Sequence, residues 1–246
     1  MRGLVDLHCH WIAAIDDGVR TPADGVALLG GLKEAGFETV VATPHMRPGM
    51  FDNDRDRLEH AFVAMAPHLD EARARLPEVH LASEHFFDDV VFQRLMKGEG
   101  LPYPGRGAAL VEFPPHAFPV RCQARFFDLR RAGLVPILAH PERYDPVWAD
   151  DECLTPLLDA GAHLLLDVCA LVGKYGRLAQ RAAEKLLEEE AYEAACSDAH
   201  RPNDVPVVVA AMERLLVLVG KEEATRLLSD GPRAILRTAA STKKTV

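Results

Sequence analysis

Paired cysteines are missing: Cys9, Cys122, Cys153, Cys169 and Cys196 are odd in number, scattered, and include no C-x-x-C spacing. That argues against a disulfide framework or a Cys-rich zinc site and leaves buried small hydrophobes in a reducing compartment as the expectation. Long apolar runs are missing too. None reaches the roughly 18 residues of a membrane span, and an expected first strand beginning at Gly3 leaves no room for a signal peptide. A cytoplasmic protein without membrane insertion is therefore expected. Positive charge is scarce, with 28 basic against 37 acidic residues and a net charge of −9. Nonspecific nucleic-acid binding neutralises phosphates with Lys and Arg, so no nucleic-acid partner is expected. No G-x-x-x-x-G-K-[ST] phosphate loop and no G-x-S-x-G elbow occurs. A cysteine nucleophile for phosphoryl chemistry needs an arginine six residues on. Those positions hold Ile15, Asp128, Asp159, Tyr175 and Pro202.

What is present is an alternation. Apolar runs expected as strands cover Gly3–His8, Phe37–Thr43, Val79–Ser83, Ala108–Phe113, Leu134–His140, His163–Val168 and Tyr192–Ser197. Helical segments separate them. Thr21-Pro22 opens the first helix and Gly36 closes it, a proline start and a glycine stop. A long charged helix is expected to end near Leu76, others near 88–97, 120–132, 152–160, 177–190 and 204–219, and two short ones near 222–229 and 232–236. Alternating strands and helices imply parallel pairing. The expected fold is α/β, a distorted seven-stranded (β/α) TIM-like barrel. One domain over residues 1–240 suits a chain of 246 residues, with a frayed tail at 241–246.

Polar residues recur where these strands end. His8 and His10 alternate, so both can reach one ion, and Asp198 and His200 repeat that spacing at the last strand. In a closed barrel the first and last strands are neighbours, which would set the two pairs side by side. His45 and His140 each adjoin a proline at a strand end; a lone histidine there is ordinarily a hydrogen-bonded loop residue. Glu84 and Glu112 end apolar strands and need a cation, a hydrogen-bond donor or an arginine. Asp16-Asp17-Gly18 reads equally as an ordinary turn. Asp167 is a further carboxylate at a strand end, expected to support the site rather than line it. Arg143 lies where a loop could aim a guanidinium at a bound anion, and Arg47 and Arg201 flank similar loops; each is equally readable as a surface charge. His60, His68, His80, His85, His116 and His163 have no such placement. Imidazoles and carboxylates converging in this way suit divalent metal ions.

Together, Asp6-Leu7-His8-Cys9-His10, Ile15-Asp16-Asp17-Gly18, Ala42-Thr43-Pro44-His45, Val111-Glu112-Phe113-Pro114, Ala139-His140-Pro141-Glu142-Arg143-Tyr144 and Ser197-Asp198-Ala199-His200 resemble the polymerase-and-histidinol-phosphatase (PHP) superfamily. One branch is resembled closely, the bacterial manganese-dependent protein-tyrosine phosphatases of capsule and exopolysaccharide synthesis. The resemblance implies three divalent transition-metal ions, manganese above iron, cobalt or zinc. It implies His8, His10, Glu84 and Asp198 around one, Glu84, Glu112 and His140 around a second, and Asp17, His45 and His200 around the third. Arg143, Glu84 and His200 would carry catalysis, with Arg143, Arg47 and Arg201 toward the substrate phosphate. The branch usually has a further arginine well beyond the final histidine, whereas Arg201 follows His200 directly. It often has glutamine where Asp167 stands.

The implied reaction is hydrolysis of phosphotyrosine on a bacterial tyrosine kinase by a metal-activated hydroxide, with no covalent intermediate. A small-molecule phosphatase such as histidinol phosphatase is the alternative within the enzyme class, with a related metal nuclease behind it. A metal-supported scaffold that only binds phosphotyrosine is the non-enzymatic one.

Overall fold

The structure, a computed structural model, describes residues 1–238, so the tail expected at 241–246 lies outside the described residues. It is an α/β fold in which every strand pair is parallel. The strands are β1 (Leu4–Cys9), β2 (Phe37–Ala42), β3 (His45–Met46), β4 (Glu78–Leu81), β5 (Glu84–Phe86), β6 (Ala108–Glu112), β7 (Val135–Ala139), β8 (His163–Asp167) and β9 (Tyr192–Cys196). They form one sheet ordered β1-β2-β4 and another ordered β3-β5-β6-β7-β8-β9.

Nine strands stand among the described residues where seven were expected, and the difference has a local cause. Pro44 has no N–H to give a ladder, and Thr43-Pro44 separates β2 from β3 just as Ala82-Ser83 separates β4 from β5. The pairing nevertheless resumes in register. Thr39 faces Glu78 before the break and His45 faces Glu84 after it, the same offset of 39 residues. Ala82 N donates to Ala42 O (2.8 Å) and Ser83 Oγ to Pro44 O (2.8 Å), which ties the two interruptions together. At the other side, His10 N donates to Ala199 O (2.9 Å) and Asp198 N to His8 O (3.0 Å). The first strand is thus bonded to the segment just beyond the last.

Alternation along the strands divides the core into two layers. Val5, Leu7, Val41, Leu110, Ile137, Ala139, Leu165, Ala194 and Cys196 form one buried cluster shared among the strands. Leu4, Val40, Val111, Leu138, Leu164, Leu166 and Ala195 belong to the larger cluster that also takes in the helices. Apolar residues on both faces explain why the strands read as near-continuous hydrophobic runs.

The first helix, α1 (Pro22–Ala35), follows expectation: Thr21 accepts from Asp24 N, and Gly36 stops it with φ 113°. The long helix expected up to Leu76 is instead α2 (Arg55–Ala64) and α3 (Ala66–Ala72), with Pro67 at the restart. Next come α4 (Asp89–Met96) and α5 (Cys122–Arg131). A short helix that was not expected follows, α6 (Asp145–Ala149), and the helix expected near 152–160 is a 3₁₀ turn (Asp151–Leu154) and α7 (Thr155–Asp159), with Pro156 at the restart. Then come α8 (Gly176–Glu188), α9 (Val205–Thr225) and α10 (Gly231–Arg237). The expected helix from 222 is the far end of α9, beyond a kink at Gly220 (φ 77°). No helix among the described residues is long and apolar enough to cross a membrane.

Candidate metal centre

All nine side chains singled out as ligands meet at the carboxyl ends of the parallel strands. Four overlapping groups form, each with one donor atom per residue and all donors within 4.8 Å of one another: His10, Asp17, His45 and His200; His8, His10 and Asp198; His8, Glu84 and His140; His45, Glu84 and Glu112. Glu84 sits between them. Its Oε2 is 2.9 Å from His45 Nδ1 and 3.3 Å from His8 Nε2, and its Oε1 is 3.0 Å from His140 Nε2. Glu112 Oε2 lies 3.8 Å from His45 Nδ1, and His140 shares a donor group with His8 and Glu84.

The backbone takes unusual shapes to deliver these side chains. His140 (φ 36°) and Asp198 (φ 44°) are both left-handed, a conformation that costs a non-glycine residue about 1–3 kcal/mol. Gly18 is required for a different reason: a Cβ there would lie 2.2 Å from His10 O. That close approach lets the loop after β1 fold back over His10. Asp17 then reaches His45 Nε2 (3.4 Å) and His200 Nε2 (3.6 Å). Asp16 faces the other way; its Oδ2 accepts from His10 Nδ1 (2.8 Å) and His45 N (3.1 Å).

Burial and mutual charge set the protonation pattern. Burial lowers the His8 imidazole, but Glu84 and Asp198 outweigh it and hold it at about 9. His200 is likewise held at about 9, chiefly by Asp198 and Asp17 against its burial. Burial and the nearby Arg143 push His140 down to about 4, so it is a neutral imidazole with a lone pair to give. Burial and the Glu84 charge push Glu112 up to about 7. Burial alone would raise Glu84, yet His8 and His45 hold it well below the usual carboxylate range.

Buried Glu84 and Asp198, with half-buried Glu112 and exposed Asp17 beside them, call for cations. Glu112 Oε2 and Asp198 Oδ1 are buried without a hydrogen bond, although Asp198 Oδ1 lies 3.2 Å from His8 Nε2 and 3.5 Å from His10 Nε2. An unpaired buried carboxylate oxygen is costly, and imidazole nitrogen with carboxylate oxygen is a donor set for divalent transition metals. The residues fit metal ions.

Arg143 lies at the mouth. Its Nη1 donates to Asp198 Oδ2 (2.6 Å) and is 3.8 Å from Asp167 Oδ2, and its guanidinium lies over the Tyr175 ring at 4.3 Å. Its neighbour Glu142 is not its partner. That fully buried carboxyl accepts from Asp167 N (3.0 Å) and the Tyr192 hydroxyl (2.9 Å), pinning the turn that carries Arg143. Burial and Asp167 push Glu142 up to about 8. Asp167 is itself buried and accepts from Cys169 N (2.9 Å). Arg47 stacks on Phe86 at 4.0 Å, and its charge, with that of Arg143, is felt at Glu112. Arg201 is exposed and lines a neighbouring concavity rather than the cluster.

Asp16, Glu142 and Tyr175 were not singled out in the sequence as parts of the site. The tandem acid Asp16-Asp17 was a usable signal; Tyr175, in the loop after β8, carried none. His85 is buried and packs structurally, its Nδ1 bonding Leu110 O (2.7 Å).

Parallel strands that bring nine imidazoles and carboxylates to one mouth define the class: an α/β protein with a candidate multinuclear metal centre. The family model for capsular polysaccharide synthesis, CpsB/CapC, matches residues 4–237, and this chain belongs to that family. It is similar to the tyrosine-protein phosphatase YwqE of Bacillus subtilis, 27% identical over 80% of this chain and 77% of that protein. It is also similar to the tyrosine-protein phosphatase CpsB of Streptococcus pneumoniae, 24% identical over 95% and 98% of the two chains. Among solved structures, one of the crystal structures of YwqE and CpsB, which are described as metal-dependent tyrosine phosphatases, superposes with a TM-score of 0.88. It is 26% identical and covers 96% of this chain and 95% of its own.

Proposed function

We propose that this chain is a metal-dependent protein-tyrosine phosphatase that acts on a tyrosine-phosphorylated bacterial kinase controlling capsule or exopolysaccharide synthesis. The observation that carries the reading is the convergence of the nine donors around Glu84, beside an arginine at the mouth. His8, His10, Asp17, His45, Glu84, Glu112, His140, Asp198 and His200 would hold three divalent ions, manganese first among the candidates. Glu84, a member of two donor groups, would be shared between ions. Bound there, the ions supply Lewis acidity that activates water near neutral pH and offsets charge developing on the phosphoryl group.

The chain's own residues do the rest. Arg143 grips phosphoryl oxygens as charge builds on them, with Tyr175 and Asp167 holding the guanidinium in place. Arg47 adds positive charge on the Glu112 side. A tyrosine phenolate, with a pKa of about 10, leaves more readily than an alkoxide, so an aryl phosphate needs less acid assistance. The unbroken pairing offset across the Pro44 break, with the bonds from the β1 end to Asp198 and Ala199, supports reading the strands as a distorted seven-position barrel. Residues 1–240 are read as one domain and the protein as cytoplasmic.

The discriminating experiment is a panel of phosphotyrosine peptide, phosphoserine peptide, histidinol phosphate and single-stranded DNA, with manganese present. Phosphotyrosine should be hydrolysed with the highest kcat/KM. Preference for histidinol phosphate would reassign the substrate, and binding of phosphotyrosine without turnover would make the protein a scaffold.

A covalent cysteine route runs against the structure. Cys9, Cys169 and Cys196 are buried, and burial pushes their thiols up; the thiolate is the nucleophilic form. A variant with all five cysteines replaced by alanine should keep most of its kcat once folded, at some loss of Tm. A trapped phosphoenzyme, or a folded but inactive variant, would contradict this.

A further inference from the structure

Beside the Asp17–His200 edge of the cluster lies a concavity of about 540 Å³ lined by Gly18, Val19, Arg20, Asp24, Arg201 and Asn203 among others. Gly18 follows Asp17 and Arg201 follows His200, so the concavity adjoins the metal centre along the chain at two points. Its size is within the range of small-ligand sites. Two exposed guanidiniums share it, in a chain whose net charge is −9. Nearby acids do not answer them. Asp24 accepts the Thr21 hydroxyl (2.7 Å) and Asp24 N is bonded to Thr21 Oγ1 (3.2 Å), which turns that carboxylate to its own helix start. Asp204 accepts from the backbone N–H of His200 (2.9 Å) and of Arg201 (3.0 Å) and faces Lys174 at 3.5 Å. Among the described residues, neither Arg20 nor Arg201 makes an ion pair.

We propose that this concavity is an anion subsite that reads an acidic group carried by the substrate polypeptide within a few residues of the phosphotyrosine. The inference rests on the tyrosine-phosphatase reading and names a feature of its substrate. A phosphotyrosyl segment seated at the cluster and leaving over the Asp17–His200 edge meets Arg20 and Arg201 next. Two guanidiniums lining one pocket repel each other and gain from a shared anion, and each presents a planar fork suited to carboxylate or phosphoryl oxygens. The acid is either a glutamate or aspartate side chain or a second phosphotyrosine.

The test uses three phosphotyrosine peptides: neutral flanks, glutamate flanks, and a second phosphotyrosine within four residues. Each is made also as a non-hydrolysable phosphonate analogue, so that Kd is read independently of turnover. The wild type should bind one or both acidic analogues about twofold to fivefold more tightly than the neutral one, the range of solvent-exposed ion pairs. Gain with glutamate identifies a carboxylate reader, and gain only with the second phosphonate identifies a phosphoryl reader. Arg20→Ala should reduce that preference and Arg20→Glu should reverse it, with the salt dependence of binding falling in parallel. Phenyl phosphate, too small to reach the concavity, should be hydrolysed by Arg20→Ala at the wild-type rate. Wild type without any preference for acidic analogues, or an Arg20→Glu variant that keeps it, overturns the subsite. Wild type that hydrolyses neither phenyl phosphate nor any peptide sinks the phosphatase reading instead, while the analogue Kd values still decide the subsite.

Discussion

Glu84→Ala is expected to lower kcat/KM by about 10²–10³ or more and to lose bound metal, because no other residue touches as much of the cluster. The carboxylate lies within 3.6 Å of ring nitrogens from His8, His10, His45 and His140. Removing one partner from a buried charge network leaves the remaining charges uncompensated, and a loss of 10²–10³ in rate corresponds to about 2.7–4 kcal/mol of transition-state stabilisation. Glu84→Gln is the sharper variant, since it keeps the volume and removes the negative charge that Glu84 places beside His8 and His45. It too should lose metal. His68→Ala and His80→Ala are the controls: His68 is exposed, and His80 is half-buried with Glu78 beside it at 3.3 Å. Both should stay within about threefold of wild type, as surface substitutions do. A Glu84→Ala protein with full metal content and near-normal turnover would remove Glu84 from the centre.

Arg143→Ala carries the second large effect. A guanidinium that tightens on the phosphoryl oxygens in the transition state lowers kcat when lost, by about 10²–10³, or about 2.7–4 kcal/mol. The structure adds a competing role, because Arg143 also neutralises Asp198 at 2.6 Å. The two roles separate under saturating manganese. If the arginine mainly balances Asp198, excess metal changes occupancy and restores kcat. If it clamps phosphate, kcat stays low with metal content normal. The second outcome is expected, with Arg143→Lys recovering only part of the loss, since a point charge cannot reproduce the bidentate fork. Tyr175→Leu should cost less, about twofold to thirtyfold, in line with the roughly 0.5–2 kcal/mol of a cation–π contact. A metallated Arg143→Ala enzyme with near-normal kcat/KM would sink the clamp.

Strand ends were legible because each interrupts an apolar run with a residue that cannot be buried unpaired. His8, Glu84, His140 and Asp198 are all of this kind. The interruptions at Thr43-Pro44 and Ala82-Ser83 were not legible. They look like ends of strands, and only tertiary pairing shows the ladder resuming at the same offset. Helix starts at Pro67 and Pro156 carried a signal, a proline at an early helical position, inside segments expected as single longer helices, and the same signal at Pro146 marks a short helix that was not expected. Within the site, Asp16 and Asp17 are adjacent and identical in type. Which one faces the cluster follows from the loop folding over His10 at Gly18, a contact that no local pattern encodes. The partner of Arg143 was hidden for the same reason. Glu142 is next in sequence, yet its carboxyl is taken by Asp167 N and Tyr192, which leaves Asp198, 55 residues away, as the acid that Arg143 meets.

The central claim is that the nine side chains hold metal and that the metal is needed for turnover. Metal analysis of the purified chain, paired with phosphotyrosine hydrolysis before chelation, after chelation and after manganese is restored, tests it most directly. About two to three transition-metal ions per chain, activity abolished by a strong chelator, and recovery with manganese are the expected result for metal-assisted hydrolysis. A metal-free protein that hydrolyses phosphotyrosine at an undiminished rate would contradict it.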